Sequence, residues 1–308
     1  MVANESQSRK SIQDISKTMI RRVLKRLWCV GQSIAEPLSV PHFLIIGVQK
    51  GGTTSLYEYL QQHPQVQSAL TKEVHFFDLN FEKGWDWYQE QLGKNNQSVV
   101  TSRKKLVTGE ASPYYIFHPL VPERVYRYVP NVKLIILLRD PVARSLSQYH
   151  HECRWDFESL GLEMALAAEP ERLKFELEKF SQDPHYQSYA YQHYSYIKRG
   201  FYLEQILTWQ HYFQPSQILI IQSEFLSKNP DQVLIKVLDF LGLDQCQFKT
   251  QERHNSGQYP PAPERVKQQL AKQFLVPNQK LLGHLEMHWP SENLMGFGAG
   301  EVNWLTPV

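Results

Sequence analysis

The sequence predicts an α/β protein in which a parallel, P-loop-like sheet is sandwiched between helices. Two observations carry that expectation. Aliphatic runs such as FLIIGV at 43–48 and LIILL at 134–138 lack the polar alternation of a half-exposed strand, so each strand is covered on both faces. These runs alternate with stretches of helical periodicity, the order of strand, crossover helix and strand that builds a parallel sheet.

Taken in order, strands are expected at about 42–47, 105–109, 133–138 and 217–222, and helices at about 53–62, 142–155, 230–241 and 263–275. The first strand ends in a glycine-rich turn and passes into a helix opened by Thr53, Thr54 and Ser55. The strand KLIILL ends in Arg139-Asp140-Pro141, and a proline there suits the first turn of the helix that follows. The segment QYPPAP at 258–263 reads as a loop before the last helix.

The chain has 308 residues with 42% hydrophobic and 12% aromatic content, enough for one sizeable core, so a single domain over residues 41–308 is expected. A formal charge of +2 gives no global argument for nucleic acid or a membrane as the main partner. Cys29, Cys153 and Cys246 are widely spaced and match no zinc pattern, so neither a disulfide framework nor a metal site is expected and a reducing compartment fits. No aliphatic run approaches the roughly 20 residues that span a bilayer. Residues 1–40 differ from the rest, because Lys10, Lys17, Arg21, Arg22, Lys25 and Arg26 interleave with apolar residues at helical spacing. This basic extension is read as a solvated helix packing on the domain, with peripheral membrane or partner docking as the alternative.

The chemistry is concentrated in the stretch GVQKGGTTS at 47–55. A glycine-rich turn between a buried strand and a helix aims backbone N–H groups at an anion. In nucleoside triphosphate sites the lysine follows the last glycine and reaches the outer phosphates. Here Thr53 holds that position and the lysine has moved into the loop as Lys50, which suits a shorter anion chain that needs no metal. A second constellation is Arg139 at a strand end with Ser147 eight residues on, a little over two helical turns, so the two can face one phosphate. The bland reading of Arg139 is an ion pair with Asp140 or a glutamate at the sheet edge.

With these motifs in order, the chain resembles the sulfotransferases that use 3′-phosphoadenosine 5′-phosphosulfate (PAPS), most closely the branch that modifies carbohydrates such as heparan sulfate, and its bacterial relatives. The resemblance runs over about residues 40–290, through PHFLIIGVQKGGTTSLYEYL, KEVHFFD, GEASPYY, LIILLRDPVARSLSQYHH and RGFYLEQILTWQHYF to a terminal helix LAKQFLVPNQKLLGHL. It implies that Lys50, Gly51, Gly52, Thr53, Thr54 and Ser55 hold the 5′-phosphosulfate, and that Arg139 and Ser147 hold the 3′-phosphate. Asn255, Ser256 and Gly257, in RHNSG, form the candidate loop that closes over the nucleotide. PAPS would be cosubstrate and its desulfated form, PAP, the product.

In KEVHFFD the resemblance assigns the acceptor-activating base to Glu73, with His75 and Asp78 at the family's histidine and aspartate positions. A neutral His75 is the rival base or the group that orients it. Asp78, Trp87 and Tyr191 are the candidate acceptor contacts, the last two because aromatic faces stack on sugar rings; the alternative for each aromatic is core packing. One departure stands at Ala111, where heparan-type members carry a lysine. It removes a cation from the acceptor side and points toward a bacterial-type cytoplasmic enzyme acting on another carbohydrate. Two other functions were weighed: a P-loop nucleotide kinase, which would need its lysine after Gly52, and a non-catalytic adenosine bisphosphate-binding protein, which would have no base.

Overall fold

The computed structural model describes residues 40–93, 106–249 and 259–297. Six strands, β1 (Phe43–Gly47), β2 (Val66–Ser68), β3 (Val107–Ala111), β4 (Lys133–Leu138), β5 (Ile218–Gln222) and β6 (Leu294–Met295), form one sheet in the order β2-β3-β1-β4-β5-β6. Every neighbouring pair is parallel. Helices stand around it: α1 (Thr53–Gln61), α2 (Gly84–Gln91), α3 (Val121–Tyr128), α4 (Pro141–Arg154), α5 (Leu162–Arg172) and α6 (Glu176–Gln182). After them come α7 (Tyr189–His193), α8 (Tyr202–Gln210), α9 (Ser223–Lys228), α10 (Pro230–Leu241) and α11 (Glu264–His288).

Alternation along each strand splits the core in two. Leu44 and Ile46 of β1 with Leu134, Ile136 and Leu138 of β4 face one layer, where Val125 of α3, Trp209 of α8 and Leu281 and Leu285 of α11 cover them. Phe43 and Ile45 with Ile135 and Leu137 face the other, under Leu56 and Leu60 of α1 and Val233 and Val237 of α10. Both faces of the strands are therefore buried, which is why their sequences read as continuous aliphatic runs.

The aliphatic strands and their helices lie within about two residues of the expected positions, a normal margin for helix and strand ends. The two short strands β2 and β6 lie outside the expected strands, since VQS and LM carry no aliphatic run. Local pattern ends the last helix near 275, ahead of Pro277, whereas the resemblance carries it to about 285; α11 continues to His288 with that proline inside it. A mid-helix proline costs about 3 kcal/mol. Leu281 and Leu285, 1% and 0% exposed, each return about 1.5–3 kcal/mol by burial, so packing carries the helix onward.

What matters for the site is the strand order. The chain steps from β1 to one side through β2 and β3, then crosses to the other side through β4, β5 and β6. The reversal lies between β1 and β4, and in open parallel sheets the crevice beyond the carboxyl ends of two such strands receives the ligand. The GVQKGGTTS loop leaves the end of β1 and Arg139 leaves the end of β4, so the fold places both candidate phosphate groups at that crevice.

Candidate active site

The loop after β1 is shaped by backbone contacts. Val48 N–H donates to the Leu137 carbonyl at 2.9 Å, tying the loop to β4, and Gly51 N–H donates to the Val48 carbonyl at 2.9 Å. A Cβ at Gly51 would lie 2.8 Å from the Leu137 carbonyl oxygen, and Gly52 stands at φ 92, so both glycines answer to geometry. Gly52 opens α1 with no side chain capping the helix, leaving its first N–H groups, at Thr53, Thr54 and Ser55, for an anion.

Cations gather around these donors. Arg139 Nη1 donates to the Lys50 carbonyl at 2.9 Å, and Lys72 Nζ reaches both Thr54 Oγ1 and, at 2.9 Å, Glu73 Oε1. The Lys50 ammonium is held below its ordinary value, first by burial and then by the charges of Arg154 and Arg139. Among the described residues neither Lys50 nor Arg139 makes an ion pair. The edge ion pair weighed for Arg139 is thus not formed. Asp140 instead caps α4, accepting the Val142 N–H at 3.0 Å. Lys50 and Arg139, half-buried cations with no ion pair among the described residues, make a candidate anion site, with Lys72 tied to Glu73 at its edge. Ser147, 7% exposed, lies in α4 beyond that cap.

On the acceptor side Glu73, His75 and Asp78 form one chain of contacts. His75 Nε2 donates to Glu73 Oε2 at 3.2 Å and Nδ1 to Asp78 Oδ2 at 2.8 Å. Burial works to raise the Glu73 carboxyl, but the His75 hydrogen bond and the Lys72 ammonium outweigh it and bring it down to about 2. Burial likewise works to lower His75, and the Asp78 and Glu73 carboxylates overcome it, pushing the imidazole up to about 10. The neutral imidazole expected from the sequence is therefore a correction: between two carboxylates His75 is an imidazolium near neutrality. An imidazolium cannot take a proton, so it orients Glu73.

The clamp has a pH signature. His75 is raised above its unfolded value of 6.5, so its contribution to stability is complete below that pH and is lost as pH climbs through about 10. Glu73, depressed from 4.5 to about 2, contributes above its unfolded value and loses it as pH falls toward about 2. The stability difference between wild type and His75→Gln should therefore be greatest near pH 6 and shrink toward pH 10.5. Denaturant titrations at both pH values measure it, and a difference that does not move with pH would rule out the charged clamp.

The segment is held in place by the GEASPYY motif. Glu110 is fully buried and accepts four donors: Val74 N–H at 3.2 Å, Ser112 Oγ at 2.7 Å, Tyr115 OH at 2.7 Å and Tyr88 OH at 3.1 Å. Burial raises its carboxyl while the Ser112 and Tyr115 hydroxyls pull the other way. Ser112 Oγ in turn accepts the His75 N–H at 3.0 Å, and Tyr115 OH accepts the Phe76 N–H at 2.8 Å. These bonds hold His75 in the left-handed region at φ 52, where a non-glycine residue needs support.

Residues 40–272 match the family described as Sulfotransferase domain. The chain belongs to this sulfotransferase family. Heparan sulfate glucosamine 3-O-sulfotransferase 6 of Homo sapiens is 30% identical over 211 residues, covering 66% of this chain and 52% of its own, so the chain spans about half the length of that relative. The membrane-associated sulfotransferase kil1 of Dictyostelium discoideum is 29% identical over 324 residues, covering 83% of this chain and 67% of its own. Among solved structures, a sulfotransferase from Alicyclobacillus acidocaldarius superposes with a TM-score of 0.63 at 28% identity, covering 82% of this chain and 97% of the other. Membership in the family does not favour the kinase or the non-catalytic reading. None of the described helices is long and apolar enough to cross a membrane.

The candidate site also contains residues that no sequence motif marks. Lys72, the first letter of KEVHFFD, bridges Thr54 at the start of α1 to Glu73. Arg199 is 3% exposed, and its guanidinium donates to Gln49 in the loop, to Ser195 Oγ at 2.8 Å and to the Gln192 carbonyl at 2.6 Å, bracing the loop from behind. His151 on α4 is held below its ordinary value by burial and then by the charge of Lys50, which leaves a neutral imidazole on that side of the cleft.

Of the candidate acceptor contacts, Trp87 is half-buried on α2, beside Lys83 at 4.4 Å. The Asp78 side chain has no exposed surface and is spent on His75 and on the Leu79 N–H at 2.6 Å, which suits it to orienting rather than to touching an acceptor. Tyr191, 3% exposed, stacks on Phe117 at 4.3 Å in a packing arrangement. Ala111 is fully buried in the apolar layer and presents no group to a ligand. Asn255, Ser256 and Gly257 lie outside the described residues, as does the basic extension up to residue 39.

Proposed function

We propose that this sulfotransferase moves a sulfuryl group from PAPS to a hydroxyl or amine of a carbohydrate acceptor, releasing PAP. One observation carries the reading. A backbone-amide loop ringed by Lys50, Arg139 and Lys72 is joined through Lys72 to an ionised, oriented carboxylate, so anion binding and proton acceptance meet at one place.

PAPS fits the donors present and, when bound, supplies the sulfuryl group. The loop N–H groups with Thr53, Thr54 and Ser55 would hold its 5′ end, and Arg139 and Ser147 its 3′-phosphate. Lys50 neutralises the charge that gathers on the departing phosphate, the electrostatic stabilisation that dominates transfers of this kind. Its lowered affinity for a proton in the free protein reflects burial first and then crowding by like charge, and an arriving anion relieves the second. Glu73 takes the acceptor proton as the new S–O bond forms, kept in place by His75 and, through His75, by Asp78. A role for the neutral His151 as base is the second reading, favoured by its having no ion pair among the described residues. Cys153 and Cys246 are free thiols, in keeping with action in the cytoplasm, with peripheral membrane contact through the basic segment 1–40 as the less favoured alternative.

The test separates the two phosphate sites. Arg139→Ala should weaken binding of adenosine 3′,5′-bisphosphate about tenfold or more, since a charged hydrogen bond of about 1.5–3 kcal/mol is removed. Binding of 5′-AMP, which has no 3′-phosphate, should be nearly unchanged. Calorimetric titration with both nucleotides reads the outcome, and an equal loss for the two would reduce Arg139 to a brace for the Lys50 carbonyl.

A further inference from the structure

Lys50 stands in the left-handed region at φ 68, a conformation that a residue with a side chain keeps only where its surroundings hold it. One support is the Arg139 guanidinium on its carbonyl. A second arrives through the residue before it, because the side-chain oxygen of Gln49 accepts from Arg199 Nη1. That guanidinium is itself immobilised. It lies over the rings of Tyr114 and Phe117 at 4.6 and 5.0 Å, and its remaining donors go to Ser195 Oγ at 2.8 Å and to the carbonyls of Tyr191 and Gln192 at 3.2 and 2.6 Å. Among the described residues Arg199 makes no ion pair. A buried cation with no carboxylate partner is costly to keep, and what it offers here is a rigid fork of donors.

The turn that carries Arg199, Lys198–Gly200, is fixed from three sides. Glu169 of α5, buried, accepts the N–H groups of Ile197 and Lys198, each at 2.7 Å. The Tyr196 carbonyl accepts from Arg144 and, at 2.7 Å, from Ser145 Oγ, both on α4. A Cβ at Gly200 would lie 2.5 Å from the Phe274 ring of α11 and 3.1 Å from Pro141, where α4 begins. The turn is thus seated on the helix that follows Arg139, while its arginine reaches across to the loop that holds Lys50. We propose that Arg199 and Glu169 are positioning residues for Lys50: Glu169 sets the turn, the turn aims Arg199, and Arg199 holds Gln49 so that the ammonium of the next residue stays at the departing phosphate. The proposal rests on the role given to Lys50 in sulfuryl transfer.

Gln49→Ala, at a half-buried loop position, removes the bond and leaves the buried core intact. Release of PAP from PAPS, with water as acceptor, should slow about 10–100-fold, the scale of an ångström's misplacement of a reacting group. Affinity for adenosine 3′,5′-bisphosphate should fall less than about threefold, because the loop N–H groups and Arg139 remain. Arg199→Met should give the same split, and Arg199→Lys should not restore the rate, since one ammonium cannot replace a fork. The double variant should be no slower than the slower single one, because both break one bond. Glu169→Gln, left with one acceptor for two N–H groups, should show a smaller loss of the same kind. Denaturant midpoints show which variants are folded. Losses in rate that multiply in the double variant, or that Arg199→Lys repairs, overturn the proposal, as does a loss of nucleotide affinity as large as the loss of rate. A ligand-free readout separates this from the nucleotide reading. The Lys50 ammonium, followed by its side-chain NMR signal, titrates below its ordinary value in wild type and should move back toward it in Gln49→Ala, where no charge is removed. An unmoved titration overturns the positioning role; a moved one in a protein that ignores adenosine 3′,5′-bisphosphate upholds it and overturns the nucleotide reading instead.

Discussion

Glu73→Gln should lower kcat about 10²–10⁴-fold while affinity for adenosine 3′,5′-bisphosphate stays close to wild type. The amide keeps the shape of the side chain and its one oxygen can still accept from Lys72 or from His75, but it accepts no proton. Lys50→Ala, by contrast, should reduce both turnover and nucleotide binding, because the ammonium serves the anion before and during transfer. His75→Ala is the internal control. Its effect should fall short of that of Glu73→Gln, since an imidazolium between two carboxylates orients the base without replacing it. If His75→Ala abolishes turnover and Glu73→Gln retains most of it, the histidine is the base. If both variants keep near-normal kcat, the proton goes elsewhere, and His151→Ala becomes the decisive variant.

The largest effect on stability is expected at Glu110. Glu110→Ala strands the Val74 N–H and the hydroxyls of Ser112, Tyr115 and Tyr88, all buried around it. Each stranded donor costs about 1–3 kcal/mol less whatever relaxation recovers, and truncation in a dense interior adds a cavity, so a loss of about 3–5 kcal/mol is expected. Glu110→Gln should cost less: burial already disfavours the charge, and an amide oxygen still accepts. Denaturant midpoints of both variants check this, and a loss below about 1 kcal/mol in Glu110→Ala would mean that water takes over the carboxylate's bonds. Activity should fall with stability in Glu110→Ala, because the same four bonds frame His75 and hence Glu73.

The aliphatic runs and their helical spacers determined the class of fold by themselves, because continuous burial on both faces of a strand leaves a one-dimensional mark. The glycine-rich turn after β1 was equally legible, and the displaced Lys50 is visible in the order of residues alone, although part of what Gly51 answers to, the Leu137 carbonyl, comes from a distant strand. Local pattern stops α11 near 275 and only the family resemblance carries it past Pro277, since the burial of Leu281 and Leu285 depends on what packs above them and outweighs a local proline. The charge state of His75 was hidden for the same reason. Its spacing from Glu73 and Asp78 is readable, but only the left-handed turn held by Ser112 and Tyr115 brings both carboxylates onto the ring and keeps its proton in place. Tyr191 looked like an acceptor contact in a tyrosine-rich run, and the tertiary structure turned it against Phe117. Arg199, a single letter in that run, acquired its place behind the loop only when the chain brought residues 150 positions apart within a hydrogen bond. Local pattern can name groups that act through their neighbours in sequence; groups that act through buried contacts with distant segments become visible only when those segments are packed together.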